Sequence, residues 1–321
     1  MKVGIDIMGG DYAPEEAIKG VAAYLQASGT LRTDVHFVLI GNPEAAAPYL
    51  ALLAEWPERF SLVASASAIG MHEHPTKALK EKQDSSIAIG YGLLLKGKID
   101  TFFSAGNTGA MLVGAMYTVK TIPGVLRPTI ASPIPKLDGK YNFLLDVGAN
   151  ADCKPEHLAQ FAVMGSLYAR HILDLDNPRV GLLNLGEEEG KGNILAQATY
   201  PLLKQHGGIN FIGNVEGRDV FLNNCDVIVC EGFTGNVALK MAESIYNIFT
   251  ETRGIHDGFL EQFNYEIYGG TPILGVNAPI LIGHGISNAR AFHSMINNSI
   301  KLVDSNFTSI LRNSFAENAV A

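Results

Sequence analysis

Thr101-Phe102-Phe103-Ser104-Ala105-Gly106-Asn107-Thr108-Gly109-Ala110-Met111-Leu112-Val113 runs from an apolar strand through a glycine-flanked loop into a helix. Three more stretches repeat the pattern: Asp6-Ile7-Met8-Gly9-Gly10-Asp11, Asp146-Val147-Gly148-Ala149-Asn150 and Glu231-Gly232-Phe233-Thr234-Gly235-Asn236. Strands that feed helices through short loops build a mostly parallel sheet covered on both faces, so the expected fold class is α/β. Such loops leave backbone amides unpaired at helix N-termini, where a small anion can sit. In open parallel sheets ligands bind beyond the carboxyl ends of the strands, where these loops gather. Phosphate chemistry is the first expectation.

Working outward, apolar runs predict strands near 2–6, 35–40, 59–63, 100–104, 129–133, 142–147, 179–184, 209–213, 226–230 and 279–282. Pattern and caps predict helices near 14–27, 43–54, 76–79, 84–96, 108–119, 155–171, 191–206 and 235–250. From Ser287 to Phe315, apolar residues at Phe292, Ile296, Ile300, Val303, Phe307 and Ile310 recur at steps of three and four, predicting one long amphipathic helix over about 287–315. No Pro-, Ser- or Gly-rich linker divides the sequence, so 1–321 reads as a single unit, with two tightly joined lobes as the alternative.

The 321 residues carry 24 Lys and Arg against 32 Asp and Glu, a net charge of −8 that disfavours non-specific nucleic-acid binding. Cys153, Cys225 and Cys230 form no metal or redox spacing and read as free thiols in a reducing compartment. A strand opens at Lys2, leaving no room for a signal peptide, and no apolar run nears the roughly 20 residues of a membrane span. The expected location is the cytoplasm.

Two nucleotide signatures fail. No G-x-G-x-x-G follows the first strand. Gly186-Glu187-Glu188-Glu189-Gly190-Lys191-Gly192 has three rather than four residues between its glycines and no Ser or Thr after the lysine, so it is no phosphate loop for ATP. Its consecutive glutamates cannot easily converge on a cation, and no metal site is expected. The anion-binding candidates are the backbone at Gly106 and Gly109 with Thr108, then Lys154, Lys191, Asn193 and Arg218. Pro155 suits a first helical position, which puts Lys154 at the helix entrance and His157 in its first turn. Asn107 and Thr108 also fit plain helix caps, and Arg218 fits a pair with Glu216 or Asp219. His284 lies between two glycines after an apolar strand, an unusual seat for a core histidine.

Taken in order, these motifs closely resemble the bacterial phosphate acyltransferase family known as PlsX. The carrying residues are Asp6–Asp11, Ser104–Ala110, Leu145–Asn150, Lys154-Pro155-Glu156-His157-Leu158, Val180–Asn184, Phe211–Glu216, Gly232–Val237 and Tyr268-Gly269-Gly270. The resemblance implies a three-layer α/β/α sandwich related to isocitrate dehydrogenase and isopropylmalate dehydrogenase, usually dimeric and without a cofactor. It implies transfer of a long fatty acyl group from acyl carrier protein to inorganic phosphate, the entry to phospholipid synthesis. The acyl phosphate would pass to a membrane glycerol-3-phosphate acyltransferase, with peripheral contact to the inner membrane as a further expectation.

Phosphate is largely ionised at neutrality and a thiolate leaves readily, so the chemistry needs placement and oxyanion stabilisation more than a strong base. On that basis Lys154, Lys191 and the Gly106–Gly109 loop are expected to hold phosphate. Asn107, Asn214 or His284 are expected near the carbonyl oxygen, with His157 as proton donor to sulfur. Lys77, Lys80 and Lys82 would form a local basic patch for the acidic carrier protein. The segment from Glu243 to Ile267, where many members insert an amphipathic helical pair for membrane contact, is short and acidic here, which weighs against that contact. The competing readings are a phosphotransacylase using short acyl-CoA and a non-catalytic carrier-protein scaffold.

Overall fold

The computed structural model describes residues 1–27 and 32–318. The chain divides into two compact units, Met1–Thr121 with Tyr265–Thr308, and Ile122–Asn264 with the chain from Ser309 onward.

The first unit contains β1 (Lys2–Asp6), α1 (Glu15–Gln26), β2 (His36–Gly41), α2 (Pro43–Leu50), β3 (Phe60–Ala64), α3 (Pro75–Glu81), α4 (Ser86–Leu95), β4 (Thr101–Ser104) and α5 (Thr108–Gly114). α9 (Tyr265–Tyr268), β10 (Gly270–Leu274), β11 (Ile280–Gly283) and α10 (Ala289–Asp304) complete it. Its strands lie in the order β3-β2-β1-β4-β11-β10, all parallel except β10, which runs antiparallel to β11. Ile5 registers with Leu39 on one side and Phe103 on the other. Both faces of β4 are buried, with Phe102 on the Tyr91 ring of α4 and Phe103 towards Phe292 of α10. Burial of each such aromatic contributes roughly 1.5–3 kcal/mol.

The second unit contains β5 (Thr129–Pro135), β6 (Tyr141–Leu145), α6 (Pro155–His171), β7 (Arg179–Asn184), α7 (Ile194–Gln205), β8 (Asn210–Glu216), β9 (Val227–Val229), α8 (Gly232–Tyr246) and nearly all of α11 (Phe307–Asn318). The order is β5-β6-β9-β7-β8, with only the β5–β6 hairpin antiparallel. α6 covers the centre, where Tyr168 stacks on Phe143 at 4.2 Å. Glycines let helices and loops close onto strand ends. A Cβ at Gly235 would run into the Asp146 carbonyl oxygen, and one at Gly232 would stand 2.7 Å from the Asn150 carbonyl.

The single helix expected over 287–315 is instead α10 and α11, interrupted at Ser305–Asn306, where Asn306 takes φ +52. Asn adopts this left-handed conformation more readily than most residues, and one such residue ends a helix without disturbing the apolar spacing on either side. β10 escaped the sequence reading. All three cysteines are free; Cys225 and Cys230 are buried and Cys153 is partly so. Burial pushes the Cys153 and Cys225 thiols up to about 12 and raises Cys230 as well.

Candidate functional site

In the first unit the loops that follow β1, β4 and β11 are laced together. Asp6, 1% exposed, accepts the Met8 N–H at 2.9 Å and the Ser104 hydroxyl at 2.6 Å. Ser104 Oγ in turn accepts the Gly106 N–H at 2.9 Å. Burial pushes the Asp6 carboxyl up, opposed by hydrogen bonds from Ser104, Ser86, Met8 and Gly9. The Asp11 N–H donates to the Gly285 carbonyl at 2.7 Å, which joins the β1 loop to the loop carrying His284. His284 is partly buried, its ring 5.2 Å from that of Tyr265.

Asn107 is 4% exposed and caps α5 by accepting the Ala110 N–H. Its amide donates to the carbonyls of Gly70, Met71 and Glu73 at 3.0, 3.1 and 3.0 Å. The side chain is thereby committed to positioning two loops, and the Gly106 amide is held by Ser104. Thr108 is exposed and Gly109 partly so, and both open α5, where helix amides lack intrahelical acceptors. Lys77 and Lys80 are exposed on α3. Lys82 is tied to Glu73 at 2.6 Å and to the Ala68 carbonyl at 2.9 Å, so it braces the loop after β3.

The second unit repeats the device. Asp146, fully buried at the end of β6, accepts N–H groups from Ile130, Ala149 and Asn150 and the Asn150 amide. Asn236 donates to the Val147 carbonyl, pinning the start of α8 to the same loop. Lys154 caps α6 with its side chain exposed, and its backbone N–H donates to His157 Nδ1 at 3.1 Å. A neutral His157 therefore carries its proton on Nε2. Burial lowers its pKa below the ordinary 6.5, and the positive charges of Arg127 and Lys154 lower it further.

Asn193 caps α7 through the Ala196 N–H at 2.8 Å. Lys191 is exposed, its ammonium 3.9 Å from Glu188. Asn214, 8% exposed, donates to the Glu188 carbonyl at 2.9 Å while its Oδ1 is buried with no partner among the described residues. Arg218 pairs with Glu216 at 2.5 Å and with Glu187 at 3.5 Å, which is the ion-pair alternative weighed from its sequence. Glu187, Glu216 and Asp219 bring ligand oxygens within 4.8 Å of one another. The guanidinium already spans two of these acids, and Asp219 accepts from the Glu216 backbone and Asn224.

Sequence reasoning missed a cavity of about 300 Å³ in the second unit, at the carboxyl ends of β7 and β9 between the starts of α6, α7 and α8. Leucines from β7, α6 and α7 wall it. The signal for it lay in the Leu182-Leu183-Asn184-Leu185 run and Ile194-Leu195, the two ends of one loop. Among the described residues no helix is long and apolar enough to cross a membrane.

A family profile described as a fatty acid synthesis protein matches residues 1–253. The phosphate acyltransferase of Desulfitobacterium hafniense (strain DSM 10664 / DCB-2) is 42% identical, covering 96% of this chain and 95% of its own. Among solved structures, the EutD phosphotransacetylase from Staphylococcus aureus superposes with a TM-score of 0.62 at 15% identity, covering 95% of this chain and 94% of its own. Isocitrate dehydrogenase from Methylococcus capsulatus follows at 0.50 and 10% identity, covering 97% and 87%. These likenesses of shape agree with the α/β architecture built from parallel strands.

Proposed function

The chain belongs to the phosphate acyltransferase family and is an acyltransferase; on that footing we propose that its donor is acyl carrier protein charged with a long fatty acyl group. A phosphate oxygen attacks the thioester carbonyl, the tetrahedral oxyanion collapses, and the carbon–sulfur bond breaks to give acyl phosphate and carrier thiolate. The reaction is reversible and its product feeds phospholipid synthesis through a glycerol-3-phosphate acyltransferase in the membrane. The enzyme works as a homodimer.

The observation that carries the reading is identity of 42% over almost the whole chain with a phosphate acyltransferase. The geometry supplies roles consistent with it. Lys154 projects an exposed ammonium from the start of α6, where the helix dipole also favours an anion. In the same unit Lys191 is the further phosphate contact, while Asn193 is spent on its helix cap; in the first unit the candidates are Thr108 and the Gly109 amide at the start of α5. Arg218 is held by its acids and serves the site by balancing them. His157, kept neutral, offers an Nε2–H to the oxyanion or to the departing sulfur. Asn107 positions loops, and Asn214 and His284 are the alternative carbonyl-oxygen partners.

Phosphate-dependent release of thiol from acyl carrier protein and from acyl-CoA, compared side by side, tests the donor. Turnover confined to short acyl-CoA would favour a phosphotransacylase of that type, and binding of carrier protein without release would mark a scaffold. Replacing Lys154 by Ala is expected to raise the KM for phosphate about tenfold, the loss of one charge-assisted contact. An unchanged KM and kcat would remove Lys154 from the phosphate site.

A further inference from the structure

We propose that the leucine-walled cavity of the second unit takes the aliphatic tail of the acyl substrate, an inference that rests on the acyl-transfer reading above. Its floor is apolar and buried: Leu158, Leu182 and Cys230 are each no more than 2% exposed, and Ala196 is 8% exposed.

The polar groups on the lining weigh between ligands, because each already makes a hydrogen bond within the protein. Asn184 accepts the Leu185 N–H and donates to the Lys191 carbonyl. Asn193 spends its oxygen on the cap of α7. Glu231 accepts both the N–H and the hydroxyl of Thr234, capping α8. A ligand rich in amides, such as a pantetheine arm, would have to compete with these internal bonds for partners, which is costly. An alkyl chain needs no polar partner. The Glu231 carboxylate on the same wall repels phosphate, so the acceptor anion belongs elsewhere.

The mouth continues the apolar character. Leu185 lines the cavity yet is 73% exposed. Ile194 and Phe233, 88% and 66% exposed, sit at the starts of the two helices α7 and α8 that frame the cavity, outside its lining. An exposed leucine on the rim of an apolar-floored cavity fits a binding mouth.

Size sets a further expectation. At roughly 30 Å³ per water-sized group, the cavity of about 300 Å³ holds on the order of ten chain carbons. Longer chains would lay their remainder along the exposed rim. The specificity constant should accordingly rise by up to about fourfold per methylene and level off near ten carbons.

Two experiments test this. The unmodified protein is first irradiated with a long-chain fatty acid bearing a diazirine at its ω carbon, and the labelled peptides are mapped. Label on the segments 182–185, 194–196 or 230–234 is expected; label confined to other segments overturns the proposal. Ala196→Leu, which adds three carbons to the lining, is then compared with the parent using donors of sixteen and four carbons. Its fold is checked by circular dichroism and thermal midpoint, and Leu183→Phe serves if the first variant is unstable. The long-chain specificity constant should fall at least tenfold with the short-chain one and the KM for phosphate changed less than twofold. An equal effect on both donors overturns the assignment. Absence of phosphate-dependent thiol release from every donor would instead count against the acyl-transfer reading, while the photolabel still reports on the cavity.

Discussion

His157 accepts the Lys154 N–H on Nδ1, in a setting that lowers its pKa through burial and nearby positive charge. The folded pKa lies below the ordinary 6.5, so the unfolded chain binds the proton more readily as pH drops. The ring's contribution to stability is complete above 6.5 and is lost as pH falls through the lower folded value. If the neutral ring serves the oxyanion, activity should hold across neutral pH and fall on an acid limb below 6.5. His157→Gln should lower kcat by roughly 10²-fold and abolish that limb. A variant that keeps the limb in a kcat/KM profile would assign it to another group. The residue types and the helix entry were legible in Lys154-Pro155-Glu156-His157, but the tautomer was not, since it depends on a backbone bond that only folding makes. Lys82 carries the same lesson: its charge suggested docking, and its partner, Glu73, lies nine positions away.

At the scale of elements, alternating apolar and helical patterns were readable because both faces of a parallel sheet are buried, so each strand is a nearly continuous apolar run. β10 was not, because Gly270-Thr271-Pro272 lacks strand propensity and is held by its antiparallel pairing with β11. The α10–α11 break was hidden by an apolar stripe that keeps its three- and four-residue steps through Asn306. The glycines at the start of α8, expected from the sequence to expose amides to an anion, also serve close packing on the end of β6, which the sequence did not reveal. Gly235→Ala should drive a methyl group into the Asp146 carbonyl and cost at least the roughly 1–3 kcal/mol of an overpacked site, seen as a lowered thermal midpoint. A midpoint unchanged from the parent would show that the α8 start is free to shift.

For the molecule as a whole, the net charge of −8 opposes an acidic partner, so if the donor is the carrier protein proposed above, its docking needs local positive charge. With Lys82 tied to Glu73, that task would fall to Lys77 and Lys80. Reversing both to Glu should raise the KM for the carrier-bound donor about tenfold at low salt and leave acyl-CoA turnover unaltered, the difference shrinking as salt screens it. Equal KM values would place the docking surface elsewhere. The cavity lay beyond sequence reasoning because residues 158, 182–196 and 230–234 meet only once the sheet is wound. The three thiols have a consequence of their own. With pKa values raised by burial, two of them to about 12, hardly any thiolate exists at neutral pH to intercept a thioester. Burial of the thiols thus weighs against an acyl-cysteine intermediate, and initial-velocity plots are expected to intersect, as for a sequential mechanism, instead of running parallel as in ping-pong exchange.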